Sequence, residues 1–239
     1  DDIRMPVNGL RAKYTRGSVT LEAVCNPVAD FFVLPTDERN PWAIRLPSAP
    51  QPYTTDLESG KPEKKIKNME FGGRASVNLS GIDFSVSALR TWNKQPALCP
   101  ALSGDGRTLH INGQYRRMTM LGADCSLPVG QFVLRAEVAE YIGEAQGSGL
   151  GQNAVRRNTL NALAGVDWYP GNDWNISVQY CHKYTSGNLA TLSVYRNAGL
   201  ATARLSKELL HNTLKLSTFA YIDVASGGIF NRLSASYSL

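Results

Sequence analysis

The side chains best suited to proton transfer near neutral pH are the three histidines, His110, His182 and His211. They stand far apart in sequence. No serine or carboxylate is fixed beside any of them by local spacing, as a nucleophile–base pair would need. His182 is in phase with Tyr180 and Tyr184 on the apolar side of an extended segment. A lipase would need its serine–histidine pair on such a side, so His182 is the one histidine to consider. The expectation is an interfacial histidine, not a catalytic one.

The other reactive groups are equally dispersed. Cys25, Cys99, Cys125 and Cys181 make no CxxC or other metal-ligand spacing. Cys25 and Cys125 fall where small apolar residues belong, and a disulfide involving Cys99 stays open. The carboxylates are spread singly along the chain, not clustered as an acid–base pair or a metal cage. There is no phosphate-cradling GxxxxGK or GxGxxG motif, and Gly147-Ser148-Gly149 reads as a flexible linker. No catalytic residue, cofactor or metal ligand is expected, and the chain is not expected to be an enzyme.

What these side chains share is the element type that carries them. The chain has 239 residues, 43% of them hydrophobic, with a formal net charge of +5. Nowhere do apolar residues run for the ~20 positions that a membrane helix needs. A membrane barrel stays open, because its strands alternate apolar and polar residues and average out.

That alternation runs through the whole chain. Leu160, Ala162, Ala164, Val166 and Trp168 share one face; Thr159, Asn161, Gly165 and Asp167 share the other, with Leu163 as an exception. The turn Pro170-Gly171-Asn172 follows. The next strand sets Trp174, Ile176, Val178 and Tyr180 against Asn175, Ser177, Gln179 and Lys183. Nine further segments alternate in the same way, giving eleven strands in all. Turns at 16–17, 80–81, 128–130, 170–172 and 210–212 are short. Connections at 26–69, 93–111, 143–157 and 185–199 are long and polar. Such an alternation of short and long is the mark of periplasmic turns and extracellular loops. The expected fold is therefore all-β: a transmembrane antiparallel up-and-down β-barrel with about 11–12 strands visible. It is expected to form a single domain over residues 1–239, with a long proline-rich loop at 26–69 that either folds over or into a pore or stays mobile. Leu189–Tyr195 alternates too and stands as an alternative twelfth strand.

The polar face carries Arg11, Lys13, Glu22, Arg74, Asp83, Asp124, Arg135, Glu137, Asp167, Lys183, Arg204, Lys215 and Arg232. Burying so many charges in a soluble core would be costly unless they were paired. A water-filled lumen removes that cost, so these thirteen are the expected pore-lining residues. Eight are basic and five acidic, which predicts a mildly basic lumen. Tyr14, Phe71, Phe84, Phe132, Trp168, Trp174, Tyr180 and Tyr237 fall on the apolar face and are the expected membrane-interface aromatics. Aromatic and basic residues are thus read on opposite faces. This argues against nucleic-acid binding, which needs stacking aromatics beside a basic patch.

Several segments resemble a group of uncharacterised proteobacterial outer-membrane barrel proteins of porin type. They are LEAVCNP (21–27) with the following NPW (40–42), EFGGRASVNLSGIDFSVSALRTW (70–92), LGADCSLPVGQFVLRAEVAEYIG (121–143), GVDWYPGNDWNISVQYCHKY (165–184) and LSKELLHNTLKLSTFAY (205–221). The resemblance covers over half the chain and implies further strands before residue 1 and after residue 239, which agrees with the odd strand count. It implies an outer-membrane channel for passive passage of small solutes. Its expected surroundings are outer-membrane lipids and lipopolysaccharide. The basic residues Arg116 and Arg117 and the run Lys61, Lys64, Lys65, Lys67 read either as contacts to lipopolysaccharide phosphates at the outer rim or as a solvated rim. The alternative expectation is a non-conducting barrel whose loops bind a partner.

Overall fold

In the computed structural model, residues 7–36, 39, 53–192 and 194–238 are described. The NPW segment at 40–42, part of the long loop and Leu239 lie outside them. The main sheet has eleven strands in the order β1 (Leu10–Arg16), β2 (Val19–Asn26), β4 (Glu70–Leu79), β5 (Ile82–Trp92), β8 (Arg117–Val129), β9 (Phe132–Gln146), β10 (Val155–Gly171), β11 (Trp174–Thr185), β12 (Asn197–Leu209), β13 (Leu214–Asp223) and β14 (Ile229–Tyr237). Every neighbouring pair is antiparallel, so the sheet is an up-and-down meander.

Local geometry sets the short turns. Gly17, Gly81, Gly130 and Gly171 have φ of +57°, +89°, +59° and +92°, where a side chain is disfavoured. The β12–β13 turn has no glycine and puts Leu210, His211 and Asn212 at φ of +52°, +56° and +69°. The short turns lie at one end of the sheet and the longer connections at the other. With eleven strands, β1 and β14 run in the same direction, and no pairing between them is present among the described residues.

The distribution of burial is inverted relative to a soluble sheet protein. Leu121 is 43% exposed, Val138 41% and Val178 49%, although each stands in the middle part of its strand. The largest fully buried side chains are Thr159, Thr185 and Ser85, all on the polar face. A soluble sheet would bury its apolar row against a second layer. Here that row has no second layer against it among the described residues, and the opposite face is polar.

Apolar burial is concentrated instead in a small second sheet. It is built from β3 (Tyr53–Asp56), β6 (Ala97–Leu102) and β7 (Leu109–Gln114), in the order β3-β7-β6. β3 comes from the long β2–β4 connection and pairs parallel with β7. β6 and β7 form a hairpin within the β5–β8 connection. Ala97, Cys99, Leu109, Ile111 and Tyr115 are buried here. The long polar connections 26–69 and 93–111 thus carry strands of their own, which the alternation did not show. Gly147-Ser148-Gly149 is likewise no free linker: Ser148 is buried, and its hydroxyl donates to the carbonyls of Gln152 (3.0 Å) and Asn153 (2.7 Å). Gly147 lies so close to β6 that a Cβ would come within 2.7 Å of the Leu98 carbonyl oxygen. Leu189–Tyr195 forms no strand among its described residues; Leu192 makes only an isolated bridge to Ser148. The four cysteines are free thiols.

The cap formed by this small sheet is seated on the long-loop ends of the main strands. Glu70 at the start of β4 is buried and takes the Lys94 ammonium at 2.6 Å. The Asn93 side-chain oxygen accepts the Ala145 amide at 3.0 Å, tying the β5 end to β9. Arg117 donates to the carbonyls of Lys67 (2.9 Å) and Met69, and Trp92 donates to the Asn68 carbonyl at 3.0 Å.

Candidate functional site: the polar face of the sheet

Strand register decides which residues can act together, since a slip by one residue would turn every side chain to the other face. The pairings carry one polar row across the whole sheet: Lys13 opposite Glu22, Glu22 opposite Arg74, Asp124 opposite Glu137, Gly165 opposite Arg135, Asn161 opposite Lys183, Ser177 opposite Arg204, and Phe219 opposite both Arg204 and Arg232. Arg11, Asp83, Asp167 and Lys215 fall in the same phase. All thirteen residues expected along a lumen therefore share one face.

Most of the basic groups there are neutralised at close range. Arg11 meets Glu22 at 2.6 Å, and Arg74 meets Asp124 at 3.0 Å. Arg135 meets Asp167 at 2.7 Å; Asp167 is buried and also accepts a hydrogen bond from Ser177 at 2.6 Å. Lys183 reaches Glu144 at 3.4 Å, and Lys215 reaches Glu208 at 2.8 Å. Sequence reasoning missed Glu144 and Glu208. β9 runs to Gln146 and β12 to Leu209, beyond the apolar rows from which those strands were recognised. With Glu144 and Glu208, and with Glu70, Arg157 and Asp223 in the same phase, the described strand residues of this face carry nine basic and nine acidic groups, so the expected excess of positive charge is absent. Among the described residues, Lys13, Arg204 and Arg232 of the expected set have no ion-pair partner, and neither do Asp83 and Glu137, nor Asp223 in the same phase.

The face is not uniformly polar. Leu163, Cys181 and Leu200 stand in register across β10, β11 and β12 and line a cavity of about 650 Å³ together with Met120, Glu137 and Lys183. A second correction concerns the aromatics. Phe219, Tyr221 and Phe230 belong to the polar row, in phase with Arg204 and Arg232, so aromatic and basic residues do meet on one face.

On the apolar face, Tyr14, Phe84, Phe132, Trp168, Trp174 and Tyr237 gather toward the short-turn end. Phe132 and Trp168 stack at 5.8 Å. Phe71 stands at the opposite end of its strand, and Tyr180 sits mid-strand between Ala164 and Ala201. The Tyr180 hydroxyl is 3.1 Å from His182 Nδ1, and His182 Nε2 is 3.2 Å from Asn197. His110 bonds Thr54 at 2.6 Å within the cap, and His211 occupies its turn. No two histidines are brought together. At the rim, Lys61 and Lys65 pair with Glu58 (2.7 Å) and Glu63 (2.6 Å), and Arg116 donates to Gln114 at 3.3 Å. With Arg117 bound to backbone carbonyls, these groups tie the cap together.

The cap's own titratable groups respond to local contacts. Hydrogen bonds from Ser59 hold the Asp56 carboxyl below its usual value, and the Ser103 hydroxyl does the same for Asp105. Burial pushes the Cys99 thiol and the Tyr115 phenol up.

An apolar outer face, a charged inner face and short turns opposite long connections together define a porin-type β-barrel fold. Solved structures agree. The outer membrane channel DcaP of Acinetobacter baumannii matches with a TM-score of 0.58 at 11% identity, over 98% of this chain and 62% of that one. A porin matches with a TM-score of 0.59 at 8% identity, over 96% of this chain and 60% of that one. The chain thus spans less than two thirds of the length of either neighbour. No protein-family model matches it. No curated protein matches it either.

Proposed function

We propose that this chain forms the wall of a porin-like channel in the bacterial outer membrane, through which small solutes pass passively along the charged face. The observation that carries this reading is the inversion of burial: exposed Leu121, Val138 and Val178 on one side, buried Ser85, Thr159 and Thr185 on the other. Lipid is the solvent that suits the first face and water the second. The chain performs no covalent chemistry in this reading and needs no cofactor. Lipids surround the apolar row, and lipopolysaccharide phosphates meet the cap's outward lysines, Lys64 and Lys67. Arg204 and Arg232, neighbours across β13 and without an ion-pair partner among the described residues, give the passage a mild preference for anions. Planar-bilayer recording tests this directly. Discrete conductance steps with a reversal potential favouring anions are expected, and a cation-selective pore would overturn the charge assignment.

The folded cap favours a second reading. A small sheet with its own core, fixed to the strand ends by Glu70–Lys94 and Asn93–Ala145, is a surface on which a partner can dock. In that reading the barrel is a non-conducting interaction module. A closed barrel without conductance would select it.

A further inference from the structure

Resting on the channel reading, the geometry points to a binding site for a small aromatic carboxylate on the inner face of β12, β13 and β14. We infer that Arg204 and Arg232 hold the carboxylate and that Phe219, Tyr221 and Phe230 receive the ring.

Charge is the first ground. Five other basic residues of this face have a carboxylate within 2.6–3.4 Å. Arg204 and Arg232 have none among the described residues, and their cross-strand neighbours are Ser177 and Phe219, which carry no charge. Two guanidinium groups therefore flank one phenyl ring with their charge unmatched. A planar, always-protonated fork fits a carboxylate with paired hydrogen bonds.

The second ground is the apolar surface between them. Phe219 packs edge-on against Tyr221 at 4.5 Å and 75°, and Tyr221 faces Phe230 at 6.4 Å. The arginines and these rings line a cavity of about 300 Å³, floored by the Ser217–Ser234 hydroxyl pair at 2.7 Å. That volume is at the small end of ligand sites. A hydrated inorganic ion gains nothing from three aromatic rings, whereas an aryl group gains burial and ring contacts. Elsewhere the aromatic residues of the sheet belong mostly to the apolar face, so the presence of these three beside unmatched arginines calls for a ligand with both characters.

The test uses the full chain refolded into detergent micelles, with gel mobility and circular dichroism confirming the barrel for each variant. Benzoate and acetate are titrated by calorimetry or ligand-observed NMR. Benzoate is expected to bind at least tenfold more tightly than acetate. R204Q/R232Q should lose tenfold or more in benzoate affinity, F219L should narrow the gap between benzoate and acetate, and K13Q should change neither. Equal affinity for the two anions, or an unaltered R204Q/R232Q protein, would overturn the site. Conductance is recorded separately on the same samples. Benzoate binding without conductance leaves the site standing and removes the channel, while conductance without binding does the reverse.

Discussion

Arg74 and Asp124 meet across an intervening strand: Arg74 on β4 and Asp124 on β8 lie 3.0 Å apart over β5, whose Ser85 sits beneath them. The Arg74 Nε donates to the Ser85 hydroxyl at 2.8 Å, and that hydroxyl donates to Asp124. Three strands are thereby fixed in register by one polar triad on the inner face.

Ser85→Ala removes the buried link and is expected to destabilise the barrel by about 1 kcal/mol. Asp124→Asn, which weakens only the half-exposed ion pair, should cost less than about 1 kcal/mol. Urea unfolding in detergent, compared with the parent chain, checks both. A larger loss for Asp124→Asn than for Ser85→Ala would show that the ion pair, not the hydroxyl, carries the triad.

Cap attachment depends on Lys94. Its replacement by Met leaves the Glu70 carboxylate buried with only the Thr91 hydroxyl and the Trp92 amide as donors. Breaking a buried pair costs about 3–5 kcal/mol, and partial exposure of Lys94 brings the expectation to about 2 kcal/mol. Limited proteolysis between residues 57 and 69 should quicken in Lys94→Met, while the main sheet keeps its resistance. Restoration by the double variant Lys94→Met/Glu70→Met would confirm that the stranded carboxylate is the cause.

The cap should also loosen in acid before the main sheet does. Asp56 and Asp105 are held below their usual values by Ser59 and Ser103. A depressed folded-state value means the stabilisation is present above the unfolded value and is lost as pH falls through the folded one. The amides of Ser59 and Arg107, which donate to these carboxylates at 3.0 and 3.1 Å, should lose protection below about pH 4. Hydrogen exchange at stepped pH, corrected for intrinsic rates, makes the comparison. Unchanged protection down to pH 2 would remove the carboxylates from the account.

Much of this architecture was legible in the sequence, because the apolar row of each main strand repeats every second residue. Leu160 to Trp168 and Trp174 to Tyr180 fix both strands and the turn between them. The small sheet was not legible. β3 pairs with β7 in parallel across more than fifty residues, and no local pattern sets such a register. β6 contains Pro100 and buries small residues, Ala97 and Cys99, so it resembles a loop. Phe219 and Tyr221 were hidden differently. The outward row Leu214, Leu216, Thr218, Ala220, Ile222 already sets them on the inner face, against the expectation that aromatic and basic residues lie on opposite faces. Glu144 and Glu208 escaped because the apolar rows stop short of the strand ends.

Substitution on the two faces of one strand separates lipid from water. Val178 and Gln179 are adjacent in the middle of β11 and point to opposite sides. Val178→Arg should cost about 2–4 kcal/mol in a bilayer, the range for a cation at the midplane of a barrel's lipid face. Gln179→Arg should be nearly neutral. Reversible unfolding from lipid vesicles measures the difference, and equal costs would mean that the apolar face does not meet lipid.

The measurement that bears most directly on the account is the gel mobility of the refolded chain in detergent, boiled and unboiled, alongside its circular dichroism. A faster-migrating unboiled band with a β spectrum is the expected result, since a closed barrel with paired backbone groups resists detergent until heated. A chain that is soluble and monomeric without detergent, with identical mobility before and after boiling, would contradict it and return the protein to the soluble β-sheet class.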